Sequence, residues 1–205
     1  MKTMSIYLLT LVAALVMPLF VSATGNDGSN DRYVADVTAS EIIWKAYKVT
    51  GQHEGTVELK SGTLIFEDNV LAGGEFSIDM TTIKNNDMAG SGGAAKLEGH
   101  LKSDDFFSVA NHPTASFKIT KVIPYGTAGD YRVAGDLTIK GITKPIKFMA
   151  HVANTNGILT ATADITIDRS EFDVRYGSGS FFDDLGDKAL HDDFDLVVQL
   201  TLNPA

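Results

Sequence analysis

Two groups of histidine and aspartate residues have the composition of a metal site. The first is His100 with Asp104 and Asp105, at helical spacing, and the second consists of His191, Asp192 and Asp193 with Asp183, Asp184 and Asp187. A metal ion requires two or three such ligands converging on one point. The structural alternative is that Ser103, Asp104 or Asp105 caps a helical turn, His100 joins a hydrogen-bond network, and the second group is a solvated turn before the last strand. We favour the structural alternative and expect no metal ion.

The same region also holds the residue types of a hydrolase. Asp168 and Asp183 could act as paired carboxylates, and Ser178 or Ser180 could act as a nucleophile beside a histidine. However, the segment 177–181 does not have the Gly-x-Ser-x-Gly order of a nucleophile elbow. We therefore expect no catalytic residues and no enzymatic activity.

Arg169 and the pair Phe181-Phe182 have non-catalytic interpretations as well. A partly buried guanidinium rarely stays unpaired, so Arg169 is expected to pair with a nearby carboxylate, with an anionic ligand headgroup as the alternative. The two phenylalanines are expected to form an aromatic plug at one end of the domain.

Composition excludes several classes of function. The chain has 205 residues, a formal net charge of −9 and no cysteine. Without cysteine there is no disulfide, thiolate metal site or cysteine nucleophile. The negative charge is unfavourable for nucleic acid, which binds basic surfaces.

The N-terminus has the pattern of a secretory signal. Lys2 precedes an apolar run over residues 6–21 that ends in Val21-Ser22-Ala23, the kind of site that a signal peptidase cleaves. We expect a signal peptide over 1–23 cleaved after Ala23, a flexible linker over 24–32, a single domain over 33–205, and a periplasmic location. An uncleaved N-terminal anchor is the alternative.

Apolar and polar residues alternate over most of the remaining chain. The alternation is clearest over residues 131–139, 146–152, 159–167 and 194–202, and it predicts antiparallel strands with one apolar face. Turns are expected at Asp68-Asn69, over residues 140–143 and over residues 154–157, and Gly51, Gly55, Gly62 and Gly73-Gly74 are expected to separate strands. Helical periodicity is confined to residues 94–101, with a possible turn over 185–190.

These patterns predict an all-β fold, a closed antiparallel β-barrel of about eight strands with one or two short helical segments. Closure removes the exposed sheet edges, although a β-sandwich is an alternative. An eight-stranded barrel holds either packed side chains or one small ligand. Ala161, Ala163 and Gly135 are small inward-facing residues, so we expect a cavity, with interdigitated larger side chains as the alternative.

Three segments resemble a known family. Residues 99–107, 135–145 and 176–188, together with Trp44, His53, Gly55 and the sequence Ile167-Asp168-Arg169, are similar to the YceI-like family over residues 33–202. The resemblance implies an exported lipocalin-like barrel that holds a long isoprenoid or a similar amphiphilic lipid.

The expected ligand-binding residues follow from alternation, size and these motifs. Residues expected in the apolar lining are Trp44, Phe66, Phe76, Ile78, Phe117, Leu137, Phe148, Ile165 and Leu196. His100, Arg169, Tyr176 and Phe181 are expected at the mouth, near the polar end of the ligand.

The expected function is therefore binding and carriage of a long-chain isoprenoid or acyl lipid, with no cofactor other than that ligand. The expected partners are the lipid, transiently a membrane or a membrane protein, and a second copy in a homodimer. The alternatives are an exported enzyme or metal-binding protein that uses the His/Asp groups, and a packed stress-response barrel without ligand.

Overall fold

A computed structural model describes residues 30–205, which form nine strands, one α-helix and two short 3₁₀ turns. The strands are β1 (Asn30–Ala35), β2 (Glu41–Lys48), β3 (Gly51–Glu67), β4 (Val70–Asn85), β5 (Thr114–Pro124), β6 (Asp130–Ile139), β7 (Ile142–Thr155), β8 (Ile158–Asp168) and β9 (Leu190–Pro204). Helix α1 (Gly92–Lys102) follows β4, and the 3₁₀ turns are Arg169–Phe172 and Gly186–Lys188. The predicted signal peptide lies outside the described residues.

The strands close into an antiparallel barrel, as predicted. The order β3-β2-β9-β8-β7-β6-β5-β4 returns to β3, so eight strands complete the wall. The additional strand β1 and strand β2 both lie between β3 and β9, at opposite ends of the barrel. At one end of the barrel Tyr33 of β1 pairs with both β3 and β9, and at the other end Ile43 of β2 does the same.

Strand β1 corrects the predicted boundary of the linker. It begins at Asn30, within the segment 24–32 that was expected to be flexible. The strand has only six residues, and its stability comes from pairing on both edges with β3 and β9. Such long-range pairing has no local signature in the sequence.

Three predicted turns are confirmed as tight hairpins. Asp68-Asn69, Lys140-Gly141 and Asn156-Gly157 join β3 to β4, β6 to β7 and β7 to β8, and both residues of each pair have positive φ. Two consecutive residues with positive φ produce a turn whose twist matches that of the flanking strands.

Gly51 begins β3 after the turn from β2, as predicted, but the other four glycines do not separate strands, which is a second correction. Gly55 and Gly62 lie within β3, and Gly73-Gly74 lies within β4. At Gly62 an added Cβ would lie 2.5 Å from Cδ1 of Phe76 on the paired strand. This glycine therefore provides space for an aromatic ring inside a continuous strand.

Helix α1 confirms the predicted helical segment. The Ser91 hydroxyl accepts a hydrogen bond from the Ala94 N–H and caps the first turn, while Ala94 and Leu101 are buried against the barrel. At the C-terminal end the Ser103 hydroxyl donates to the carbonyl of His100. No helix within residues 30–205 combines the length and apolar character needed to cross a bilayer.

The wall of the barrel is not paired along its whole height. On one edge, β7 pairs with β6 from Ile142 to His151. On its other edge, β7 pairs with β8 only from Ala150 to Thr155. The segments 142–149 of β7 and 164–168 of β8 therefore do not pair with each other. We call this interval the β7–β8 seam.

Candidate functional site: an apolar cavity inside the barrel

The barrel encloses a cavity of about 210 Å³. Side chains from all eight wall strands line it, together with Leu101 of α1 and the adjacent Phe106 and Phe107. Of the residues expected in the lining, those that the structure places there are Trp44, Phe76, Ile78, Phe117, Leu137, Phe148, Ile165 and Leu196. Period-two alternation therefore gives the correct inward face for β2 and for β4 to β9.

The cavity lies at mid-height in the barrel. Along β8, Ile167 at one end and Leu159 and Ala161 at the other end are buried, whereas the intervening Ala163 and Ile165 are only half-buried although they point inward. On β9, Phe194, Leu196 and Val198 are half-buried, and Leu200 and Leu202 are buried. Inward-facing side chains that retain accessible surface indicate unfilled space between two packed ends.

Trp44 contributes an apolar surface without an unsatisfied polar group. Its indole N–H lies 3.1 Å from the carbonyl oxygen of Lys84 and 3.3 Å from that of Thr56. The ring fits against Gly55, where an added Cβ would lie 2.5 Å from Cζ2 of the indole. The polar edge of the tryptophan is therefore bound to the wall.

Small residues have two different effects inside the barrel. Ala161 and Ala163 line the cavity, in agreement with the expectation that they leave space. At Gly135, however, an added Cβ would lie 2.4 Å from Cζ of Phe117, so the phenyl ring occupies the space that the glycine leaves. The expectation of open space at Gly135 is wrong because a neighbouring strand fills it.

Among the described residues, Arg169 is the one charged side chain of the lining, and it is only 5% exposed. Its Nη1 donates to the carbonyl of Val174 at 2.7 Å, its Nε donates to that of His191 at 3.0 Å, and its Nη2 lies 3.3 Å from Oδ1 of Asp192. The expected pairing with a carboxylate is confirmed. Arg169 thereby ties the segment after β8 to the beginning of β9.

The electrostatic environment favours the ionised form of Asp192 and offsets part of the cost of burying the charge of Arg169. Burial lowers the pKa of Arg169, and the negative charges of Asp192 and Asp168 oppose this effect. Burial also acts to raise the pKa of Asp192, but hydrogen bonds from Ser178 and Ser180 and the charge of Arg169 hold it below its ordinary value. The positive charge at the cavity is therefore compensated within the protein.

Two residues expected to contact the ligand lie elsewhere. Phe66 is buried against Tyr33 of β1, with ring centroids 5.6 Å apart, and it does not belong to the lining. Phe181 and Phe182 are 41% and 51% exposed, so they do not plug the barrel. Instead, Cζ of Arg175 lies 4.9 Å from the ring centroid of Phe181.

His100 and Tyr176 stand outside the cavity, next to one of its lining residues. The ring of His100 makes edge contacts with Phe106 at 4.9 Å and with Tyr176 at 4.4 Å between centroids. Phe106 lines the cavity and is buried. These aromatic residues form a layer over the end of the barrel where α1 lies, which we call the helix end.

The His/Asp groups do not converge into a metal site in the described part of the chain. No three His, Cys, Asp or Glu side chains within residues 30–205 are arranged to hold an ion. His100 lies 3.5 Å from Asp105, while the Asp104 carboxylate accepts a hydrogen bond from the Ser108 hydroxyl. Asp168, considered above as a catalytic carboxylate, caps the following 3₁₀ turn by accepting from the N–H of Ser170.

Several lining residues were not predicted from the sequence. Leu101, Phe106 and Phe107 close the cavity at the helix end, and Met80 and Ile83 extend β4 toward them. For Leu101, Phe106 and Phe107 the one signal was the motif 99–107, because alternation does not apply to a helix and a loop, whereas Met80 continues the alternation of Phe76 and Ile78 along β4.

The family model for the YceI-like domain matches residues 33–202. This chain belongs to the YceI-like family. Among curated YceI-like relatives, a protein named UPF0312 from Shewanella denitrificans is 35% identical over 85 residues, which cover 38% of this chain and 44% of the relative. A UPF0312 protein from Vibrio parahaemolyticus is 32% identical over 99 residues, covering 47% and 48%. The matched part of the chain thus spans about half the length of these relatives.

Solved structures share the YceI-like fold. Burkholderia cenocepacia BcnA superposes with a TM-score of 0.67 and 22% identity over 82% of this chain and 98% of that protein. A domain from Saccharophagus degradans, described as a polyisoprenoid binding domain implicated in plant cell wall breakdown, has a TM-score of 0.60 and 14% identity over 84% and 98%. At these identities the likeness concerns the fold.

Proposed function

We propose that this protein binds one long-chain isoprenoid or similar amphiphilic lipid inside the barrel and carries it in the periplasm without chemical change. The observation that carries the proposal is the unfilled cavity, whose lining is apolar except for the exposed Thr162 and for Arg169 and the Trp44 N–H, which the protein itself pairs. Water gains few hydrogen bonds there, whereas a hydrocarbon chain gains contacts on all sides.

The energetics of burial support a binding role. A free lipid chain exposes roughly several hundred Å² of hydrocarbon, and burial contributes about 25 cal/mol per Å² before the costs of association. No covalent step is needed for such affinity. The eight expected lining residues found at the cavity are the proposed hydrocarbon contacts.

The polar end of the lipid is proposed to lie at the helix end of the barrel. His100 and Tyr176 lie there beside Phe106, and Arg169 lies at the edge of the cavity. Because Asp192 already neutralises Arg169, this end provides polar contacts without a free positive charge at the arginine.

The name given to the Saccharophagus degradans domain is consistent with an isoprenoid ligand. Export is inferred from the N-terminal pattern over residues 1–23, with cleavage after Ala23. The same arguments lead us to infer a binding protein rather than an enzyme.

Native mass spectrometry of the protein, purified from a bacterial periplasm without detergent, tests the proposal. We expect a stoichiometric mass increment that organic extraction releases as a prenyl or acyl chain. The polypeptide mass of the same sample locates the cleavage site, and its charge-state series shows whether two copies associate. A bare polypeptide that takes up neither polyprenyl alcohols nor quinones would contradict the binding function.

A further inference from the structure

The outer surface of β5, β6 and β7 carries an unusual concentration of positive charge. Lys121, Arg132 and Lys147 are all exposed there. Ala134 of β6 pairs with Lys121 of β5 on one side and with Lys147 of β7 on the other. Arg132 lies two residues before Ala134 on β6, so it belongs to the same face, in the next row of paired residues. The chain as a whole has a formal net charge of −9, so this face contrasts with the rest of the molecule.

Exposed apolar side chains lie within the same face. Ile123 and Met149 pair with Arg132 from either side, and they are 45% and 43% exposed. Tyr125 is 49% exposed, and its ring lies 3.9 Å from Cζ of Arg132. We call these six residues, Lys121, Ile123, Tyr125, Arg132, Lys147 and Met149, the basic face.

The carboxylates that the strand pairing places nearest to the basic face lie at its borders. Asp136 occupies the next row on one side, and Asp130 occupies the next row on the other side, where the His151 ring binds it at 2.7 Å. Asp164 lies across the β7–β8 seam. Cations mixed with exposed aliphatic and aromatic side chains match the headgroup region of an anionic bilayer, which attracts the charges and accepts the apolar groups.

The basic face also lies beside the part of the wall where β7 and β8 do not pair. Lys147 and Met149 belong to the unpaired edge of β7 at the seam. An outer recess of about 380 Å³ is lined by Met149 and His151 and by the two bordering carboxylates Asp130 and Asp164. It shares Ala150, Ala163 and Val198 with the interior cavity. At this point small side chains separate the outer surface from the cavity.

We propose that the basic face is a docking surface for an anionic phospholipid membrane, and that docking places the β7–β8 seam against the bilayer. The docking surface itself does not depend on the cavity being occupied. Its link to lipid transfer rests on the proposed function, so membrane attachment and lipid uptake are measured separately.

Co-sedimentation with vesicles tests the charge of the surface. The full protein is mixed with phosphatidylcholine vesicles with or without phosphatidylglycerol, and we expect attachment that requires phosphatidylglycerol and weakens with added salt. Each Lys or Arg near an anionic surface strengthens attachment roughly fivefold, so Lys121→Gln/Arg132→Gln/Lys147→Gln should weaken it roughly hundredfold. The matched control Lys60→Gln/Lys84→Gln/Lys96→Gln removes the same charge from exposed sites elsewhere and should have a much smaller effect.

Single cysteines test the orientation, since the wild-type chain has none. A polarity-sensitive fluorophore on Met149→Cys should shift to the blue on phosphatidylglycerol vesicles, whereas the same label on Ile158→Cys, which is similarly exposed at 46%, should not. Absence of attachment by the wild type, equal losses in the two triple variants, or equal shifts at both labels would overturn the proposal. Lipid uptake from solution by the triple variant should stay at the wild-type level, and its loss would show that the substitutions act on the cavity or the fold instead.

Discussion

Arg169 and Asp192 form a partly buried ion pair in which each charge compensates the other. The guanidinium also donates to the carbonyls of Val174 and His191, so it holds the chain on both sides of the segment 175–190. Removal of one member of such a pair leaves the other charge without compensation.

Asp192→Asn should therefore reduce stability in a manner that depends on pH. The pKa of Asp192 is lowered in the folded state, so its contribution is fully present above the ordinary carboxyl value of 3.8 and is lost as the pH falls through the lower folded value. Urea unfolding of the wild type and the variant should differ most near neutral pH and converge in acid. Asp193→Asn, at an exposed neighbour, is the control, and a constant difference across the pH range would contradict the assignment.

Ala163 determines how much of the cavity stays empty beside β8. Ala163→Phe should place a ring in the cavity and reduce lipid uptake severalfold while the protein stays folded, because space is already available at this position. Uptake of a fluorescent polyprenyl probe and circular dichroism provide the measurements. Thr160→Phe adds the same ring on the outer side of the strand, so uptake reduced to the same extent by both variants would place the ligand outside the barrel.

At the scale of the elements, close packing between strands depends on glycines within them. The Gly135 site on β6 is occupied by Phe117 of β5, and the Gly62 site on β3 is occupied by Phe76 of β4. These contacts allow large aromatic rings to lie inside the barrel while the strands keep their pairing.

Gly135→Ala should destabilise the protein by about 1–3 kcal/mol, since the new methyl group displaces both a ring and a strand carbonyl. The added Cβ would lie 2.4 Å from Cζ of Phe117 and 2.5 Å from the carbonyl oxygen of Lys118. Gly73→Ala is the matched control, because a Cβ there meets no atom within 4 Å. Thermal unfolding of the two variants measures the difference, and equal melting temperatures would show that the β5–β6 contact is not tight.

At the scale of the whole molecule, a barrel with packed ends and an empty middle is less stable than its filled form. A lipid that binds the folded state but not the unfolded chain raises stability by about 2.7 kcal/mol when its free concentration is a hundred times Kd. We expect the melting temperature to rise with added polyprenyl alcohol and to rise much less in Ala163→Phe. An unchanged melting temperature in the wild type, after extraction of any bound lipid, would argue for a barrel without ligand.

The sequence by itself determined most of the strands from β2 to β9, the hairpin turns and most of the inward faces, but neither β1 nor the continuity of β3 and β4. Period-two alternation assigned Trp44, Leu137 and Leu196 to the interior, and the segment 154–157 marked a turn, because these features depend on neighbouring residues in the chain. The family motifs added the helix-end layer around His100.

Only the tertiary structure decided which small residues border the cavity and which charges are neutralised by a neighbour. Ala163 borders the cavity. Gly135 does not, because the ring of Phe117 on the adjacent strand fills the space beside it. Phe66 belongs to the packed end because β1 covers it, and Arg169 is neutralised because β9 brings Asp192 beside it. The basic face likewise arises from the register of three strands. Each of these features depends on residues that are distant in sequence, and local patterns contain no information about such contacts.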